Sequence, residues 1–180
     1  DEPFTGTFDG DNYSIYNLRE FDMTTEYSYY GFFGYIENAL IKNLKFKDSG
    51  FNTEGLSNKL GILVGFSKDS TIHNIRVEGG TLQINNTTNG GYGSIVGVIE
   101  NTNLYNLYSS INIVYSPTSL FNSNGGIGGL VGSSVVSDNY NKNYIKESEF
   151  SGNFIIDASS LNEEYTNERI FNDYGIHHFT

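Results

Sequence analysis

The sequence predicts an all-β protein built as a parallel β-helix of about five coils, with a short helical cap at its C-terminus. Three observations favour this fold. The composition is rich in strand and turn formers, with 21 Gly, 14 Tyr and 13 Phe in 180 residues. A short apolar motif recurs along the chain, and a glycine-closed apolar step precedes most of its copies.

The recurring motif has the form Ile-x-Asn-Leu. Its copies are IYNL, IKNL, IHNI, LYNL and a degenerate IKES, beginning at Ile15, Ile41, Ile72, Leu104 and Ile145. The steps YGFFG, GILVG, GSIVG and GGLVG come before the last four copies and end at Gly34, Gly65, Gly97 and Gly132. Because motif and step keep nearly the same separation, they belong to one structural unit, and extra residues enter as loops.

Side-chain parity within the motif predicts a bend in every repeat. In IKNLKF, Ile41 and Asn43 share one face of a strand, and Leu44 and Phe46 share one too. Both pairs can point inward only if the chain turns between Asn43 and Leu44. Stacked repeats then form two interior columns, Ile15, Ile41, Ile72, Leu104 and Ile145, and Leu18, Leu44, Ile75 and Leu107. The asparagines are predicted to form an internal amide ladder with about 4.8 Å spacing, made of Asn17, Asn43, Asn74 and Asn106.

Residues 1–156 are predicted to form the repeats, and residues 157–180 a cap or tail. Ser160 and Glu163 match a capping box that opens a short helical turn. A solenoid needs such a cap because its last coil otherwise shows unpaired strand edges.

Composition excludes several classes of function. A net charge of −11 argues against binding to nucleic acid. The apolar runs are far shorter than the roughly 20 residues that span a bilayer, so no membrane insertion is expected. The absence of cysteine excludes disulfides and thiolate metal sites. No metal site or cofactor is predicted, and calcium binding is left open. The histidines are His73, His177 and His178, and the last two are predicted to be structural or disordered residues of the tail. His73 is predicted to be a surface residue.

The segments GTFDGDNYSIYNL, GGLVG, GILVG and IKNL resemble the GLUG repeats of bacterial surface and secreted proteins, first noted in metallopeptidases that cut immunoglobulin A. The resemblance implies a right-handed, single-stranded parallel β-helix, an extracellular or cell-surface bacterial location, and a supporting or binding role. It does not carry over peptidase activity, because the zinc motif of two His four apart, with Glu beside the first, is missing.

Two outward rows and a set of loops are the candidate binding residues. The position after the second apolar residue places a basic row on the surface, consisting of Arg19, Lys45, Arg76 and Tyr108. This row suggests an anionic ligand such as an acidic glycan, unless Glu20 and Glu78 screen it. A second outward stripe contains Tyr16, Lys42, His73, Tyr105 and Lys146. Loops rich in Tyr, Asn and Ser add Tyr29, Tyr92 and Tyr115 as possible contacts.

The favoured function is a non-catalytic module of a bacterial surface or secreted protein, acting as a spacer, an adhesin or a partner-binding platform. The partners would be a host or bacterial surface protein or glycan, together with neighbouring domains of a longer chain. One alternative is a glycan-cleaving enzyme, for which Asp9 and Asp11 are the candidate carboxylates, although an Asx turn explains them better. Another alternative is a subunit that stacks end to end into filaments.

Overall fold

The computed structural model describes residues 2–19, 28–53, 59–85, 90–116, 126–136 and 142–157. Within these ranges the protein is all-β, with every strand in a parallel sheet and no helix. In chain order the strands are β1 (Thr7–Asp9), β2 (Ser14–Tyr16), β3 (Tyr29–Tyr30), β4 (Phe33–Glu37), β5 (Leu40–Lys47), β6 (Asn52–Thr53), β7 (Lys59–Leu60), β8 (Val64–Lys68), β9 (Thr71–Glu78), β10 (Thr81–Ile84), β11 (Gly91–Gly93), β12 (Val96–Glu100), β13 (Asn103–Ser109), β14 (Asn112–Tyr115), β15 (Gly126–Gly128), β16 (Val131–Val135), β17 (Tyr144–Lys146), β18 (Glu149–Phe150) and β19 (Phe154–Ile156).

The strands form four parallel sheets that each turn of the chain visits in the same order. Sheet I contains β3, β7, β11 and β15, and sheet II contains β4, β8, β12 and β16. Sheet III contains β1, β2, β5, β9, β13, β17 and β18, and sheet IV contains β6, β10, β14 and β19. This arrangement is the predicted β-solenoid.

The solenoid has about three turns, made by β3 to β14, and shorter strands extend it at both ends. The predicted count of about five coils is therefore not confirmed. The expected helical cap falls on residues 158–180, which lie outside the described part of the chain.

The predicted interior columns are confirmed for the central turns. Ile41, Ile72 and Leu104 are partners in neighbouring strands and are fully buried. A second column of Leu44, Ile75 and Leu107 is buried beside them. The side chains of equivalent positions thus stack through the middle of the solenoid, as the motif spacing predicts.

The first copy of the motif is out of the predicted register. Phe8, not Ile15, pairs with Ile41, while Ile15 pairs with Phe46. Four residues separate Asp9 from Ser14, whereas two separate their partners in β5, so the first repeat carries two extra residues at this point. The predicted places of Ile15 and Leu18 in the two columns are consequently wrong, because a four-letter match cannot detect a two-residue insertion.

The predicted bend at the motif asparagine is confirmed by the backbone. Asn43, Asn74 and Asn106 have φ values of 56°, 55° and 50°, in the left-handed region, and Glu147 keeps this geometry at 52°. Asparagine reaches this region at a lower cost than most residues, because its short amide forms local hydrogen bonds. Two further corners of the solenoid have the same geometry, with the residue sets Asn38, Asp69 and Asn101, and Asn17, Asp48 and Gly79.

The asparagine ladder exists, but its amides are not internal, and Asn17 of the first motif copy is not part of it. Asn74 donates from Nδ2 to Oδ1 of Asn43 over 2.7 Å, and Asn106 donates likewise to Asn74 over 3.4 Å. Asn43 donates to Asp9 over 2.9 Å, and Asn74 donates also to Oδ1 of Asn12 over 3.2 Å. Asp9 and Asn12 therefore accept these bonds at the end where the motif predicts Asn17. The amides are half-buried or exposed at the corner, because a left-handed residue points its side chain outward. Asn17 lies exposed at a different corner, where its backbone N–H donates to the carbonyl of Lys47.

The glycine-closed steps bring sheets I and II into direct backbone contact. Gly34, Gly65, Gly97 and Gly132 are equivalent positions in sheet II. A Cβ atom at Gly97 would lie 2.5 Å from the carbonyl oxygen of Gly65 and 2.5 Å from the backbone nitrogen of Leu60. Only glycine allows so close an approach.

Candidate binding surface

The stripe predicted around His73 lies on the outer face of sheet III. Lys42, His73, Tyr105 and Lys146 are partners in successive strands, and Asp9 begins the row. Lys42 forms an ion pair with Asp9 over 3.1 Å. Tyr16 belongs to another row, beside Lys47, whose ammonium lies 5.9 Å from its ring centroid. The stripe is therefore a mixture of charges and rings with no single chemical character.

The basic row is shorter than predicted. Lys45, Arg76 and Tyr108 are partners in neighbouring strands, but Ser14 occupies the position expected for Arg19. Arg19 instead donates to the backbone carbonyls of Leu18 and Asp48. Arg19 lies outside the row because the same two-residue insertion that displaces Ile15 shifts its register.

Glu78 screens what remains of the basic row. Its carboxylate lies 2.8 Å from Nε of Arg76 and 3.9 Å from Nζ of Lys47. The hydrogen bond from Arg76, together with the nearby lysines, lowers the pKa of Glu78 below its usual value. The Arg76 guanidinium also lies 4.2 Å from the ring centroid of Tyr108. Arg76 thus has its partners within the chain, and Glu20, the other predicted screening residue, lies outside the described part.

Two of the predicted contact tyrosines belong to the core. Tyr92 is 0% exposed and Tyr115 is 1% exposed. Tyr92 pairs with Leu60 and Ile127, and Tyr115 pairs with Ile84, so each occupies an inward position of its strand. Their prediction as surface contacts is wrong, because the glycine- and asparagine-rich segments beside them suggested loops where the chain forms strands.

Tyr29 is different, because it lies in a surface cluster that we call the aromatic–lysine patch, consisting of Tyr29, Tyr35, Lys59 and Phe66. The rings of Tyr35 and Phe66 are stacked, with centroids 5.2 Å apart and an interplanar angle of 22°. Tyr29 stacks on Phe66 at 5.6 Å and 21°. All three aromatic side chains are half-buried. Tyr29 and Tyr35 are also neighbours, with centroids 5.5 Å apart and rings tilted by 42°. Three rings are thus held at one place on the solenoid, and Phe66 stacks on the other two.

The glycine steps create this patch. Tyr35 and Phe66 directly follow Gly34 and Gly65 and are partners in sheet II. Since the glycines let sheet I lie against sheet II, Tyr29 of β3 and Lys59 of β7 reach the rings of Tyr35 and Phe66. The equivalent position in the next turn is Val98, so the rings are confined to the first two turns.

Lys59 holds its ammonium group over the aromatic faces. Nζ lies 4.2 Å from the Phe66 ring centroid and 4.6 Å from that of Tyr29. Burial lowers the pKa of Lys59 below its usual value, although the charge of Glu100 acts in the opposite direction. Within the described residues no carboxylate lies within 4.0 Å of this ammonium. The patch therefore contains a partly desolvated cation whose contacts there are aromatic.

A polar rim borders the patch on sheet II. Glu37, Lys68 and Glu100 are partners in β4, β8 and β12, and Lys68 forms an ion pair with Glu37 over 3.2 Å. The hydrogen bond and charge of Glu37 raise the pKa of Lys68 above its usual value. Burial, followed by the hydrogen bond to Glu37, raises the pKa of Tyr35 to about 12. The Tyr35 hydroxyl therefore remains protonated at neutral pH.

Sequence reasoning missed three of the four patch residues, Tyr35, Lys59 and Phe66. A signal was present, since Tyr35 and Phe66 each directly follow the last glycine of the apolar step. Lys59 gives no comparable signal, because its place beside Phe66 depends on the contact between sheets I and II.

In the described ranges no group of three or more His, Cys, Asp or Glu side chains could hold a metal ion. None of the described residues forms a helix long and apolar enough to cross a membrane. Comparisons with family models, curated proteins and solved structures find no match. The resemblance to GLUG repeats accordingly stays a prediction.

Proposed function

We propose that this chain is a non-catalytic repeat module of a bacterial surface or secreted protein, and that it binds acidic glycans at the aromatic–lysine patch. The solenoid serves as the rigid support, and the glycan belongs to a host or bacterial surface. Right-handed winding and an extracellular location, both implied by the GLUG resemblance, are part of this proposal.

The observation that carries the proposal is the position of Lys59 over the rings of Tyr29 and Phe66. Sugar rings pack their apolar C–H faces against aromatic side chains, which supply rigid contact area at a low cost in conformational entropy. A carboxylate or sulfate on the sugar would gain from a cation that is already partly desolvated. Glu37 and Glu100 at the rim offer acceptors for sugar hydroxyls.

The glycan-cleaving alternative receives less support from its candidate carboxylates. Asp9 accepts hydrogen bonds from the side chain of Asn43 and from the backbone N–H of Asp11, the latter being the expected Asx turn. These bonds and Lys42 hold the pKa of Asp9 at about 2. A carboxyl that stays ionised at neutral pH does not serve as a general acid there.

Incubation with polygalacturonate tests both functions. Retention of the protein, weaker binding to the carboxyl-reduced polymer, and no new reducing or unsaturated ends are the expected results. New chain ends would establish cleavage and overturn the non-catalytic proposal. Equal binding to the acidic and reduced polymers would remove the role given to Lys59.

A further inference from the structure

Sheet III has an open strand edge at each end of the described solenoid. Its strand order is β1, β5, β9, β13 and β17. β2 follows β1 and also pairs with β5, and β18 follows β17 and also pairs with β13, so β1 and β2 form one edge and β17 and β18 form the other. In the described part of the chain, no strand lies beyond β1 and β2 or beyond β17 and β18. Such edges present backbone N–H and C=O groups that can pair with a further parallel strand.

The last row also leaves part of an interior column uncovered. Ile145 continues the column of Ile41, Ile72 and Leu104, which are fully buried, yet it is 46% exposed. Its exposure comes from its position at the end of the stack. At the opposite end Phe8 begins the same column and is half-buried. Both ends of the column thus show apolar surface.

The outward row next to this column has complementary charges at its two ends. The row begins with Asp9, whose side chain is 43% exposed, and it ends with exposed Lys146. The Lys146 ammonium lies 5.5 Å from the Tyr144 ring centroid and has no carboxylate within 4.0 Å in the described residues. Continued stacking in the same register would bring a lysine of one molecule beside an aspartate of the next.

We propose that two copies of this chain associate head to tail, with β17 and β18 of one copy pairing with β1 and β2 of the other. The register found within the molecule then fixes the contacts between molecules. Ile145 packs against Phe8 of the second copy, Phe150 packs against its Ile15, and Lys146 lies beside its Asp9. This contact joins two different surfaces, so it repeats and produces filaments when every copy uses both ends.

Sedimentation equilibrium across a dilution series tests the association in the full chain. Mass should increase with concentration beyond that of one copy, and added salt should weaken the association because the Lys146–Asp9 contact is electrostatic. Ile145→Arg should raise the dissociation constant by roughly tenfold or more, since it places a charge in an apolar contact. Lys146→Glu, at an exposed position where folding is not at risk, should weaken association in the same direction.

Ile155→Arg is the matched control. Ile155 lies in the same last row and is 45% exposed, but it pairs with Val114 and faces outward from sheet IV. Its substitution should leave the dissociation constant unchanged. Equal effects of Ile145→Arg and Ile155→Arg would overturn the proposed contact. A full chain that stays monomeric at every concentration would overturn it too.

Discussion

Asn74 donates a hydrogen bond to Asn43 across 2.7 Å, between equivalent corners of neighbouring turns. Both residues have left-handed backbone geometry, with φ values of 55° and 56°. Asparagine thus serves two purposes at this corner: it permits the sharp bend, and its amide joins one turn to the next. The recurring asparagine of the sequence motif follows from both requirements.

Substituting Asn74 separates these two contributions. Asn74→Ala should destabilise the protein by about 2 kcal/mol, combining roughly 1 kcal/mol for a left-handed alanine with roughly 1 kcal/mol for the lost ladder bonds. Asn74→Gly retains the backbone geometry and should cost about 1 kcal/mol, the hydrogen-bond part alone. Urea unfolding of both variants measures the difference. Equal loss in the two variants would show that corner strain contributes nothing.

Gly97→Ala should be among the most damaging small substitutions in the chain. The added methyl would lie 2.5 Å from backbone atoms of Gly65 and Leu60, which cannot rotate away as a side chain can. Overpacking of this kind typically costs about 1–3 kcal/mol, and we expect the upper end or more. The melting temperature measured by circular dichroism reports the loss.

Gly6→Ala is the control for this substitution. At Gly6 a Cβ atom would meet only the Phe4 ring, at an ordinary contact distance of 3.5 Å. Its stability should change by less than about 0.5 kcal/mol. If both alanine variants melt together near the wild-type temperature, sheets I and II are not in contact as described.

The ionised carboxylate of Asp9 stabilises the folded protein, and this contribution is lost at acid pH. Its folded pKa of about 2 lies below its ordinary value of 3.8, mainly because Asn43 and the Asp11 N–H donate to the charged form. The unfolded state therefore binds more protons between these values, and stability is lost as the pH falls from about 4 to about 2. Melting temperatures across this range should decline less steeply in Asp9→Asn than in the wild type, with Asp11→Asn as the control. Parallel curves for Asp9→Asn and the wild type would contradict this assignment.

The parts of the fold that the sequence predicted are those set by the alternation of side chains along a single strand. The alternation in IKNLKF requires a bend after Asn43, and the structure places the bend there. The same alternation aligns Ile41, Ile72 and Leu104, because each has the same offset from its own asparagine. Neighbouring turns then repeat the pattern with little freedom to differ.

The parts that the sequence did not predict depend on contacts between segments. The tetrapeptide IYNL matches the motif by letter, yet Gly10 and the residues after it insert two positions and move Asn17 to another corner. The segments around Tyr92 and Tyr115 have the composition of loops, but both tyrosines lie in strands and pair with core residues of the adjacent strands. The aromatic–lysine patch joins two sheets, so no single segment of sequence contains it.

The Lys59 ammonium is partly desolvated in the folded protein, so removing its charge should not unfold the protein. Lys59→Met keeps the length of the side chain and should leave the melting temperature within a few degrees of wild type. Phe66→Leu keeps apolar bulk and removes the ring face that the ammonium contacts. Lys45→Met, in the row screened by Glu78, is the charge-matched control outside the patch.

Calorimetric titration of these variants with a galacturonate oligosaccharide tests the proposed binding most directly. The wild type and Lys45→Met should bind equally, whereas Lys59→Met and Phe66→Leu should each weaken binding by roughly tenfold, about 1.4 kcal/mol. Binding that is unchanged in Lys59→Met and Phe66→Leu, or that is lost equally in Lys45→Met, would contradict the assignment of the patch as the glycan site.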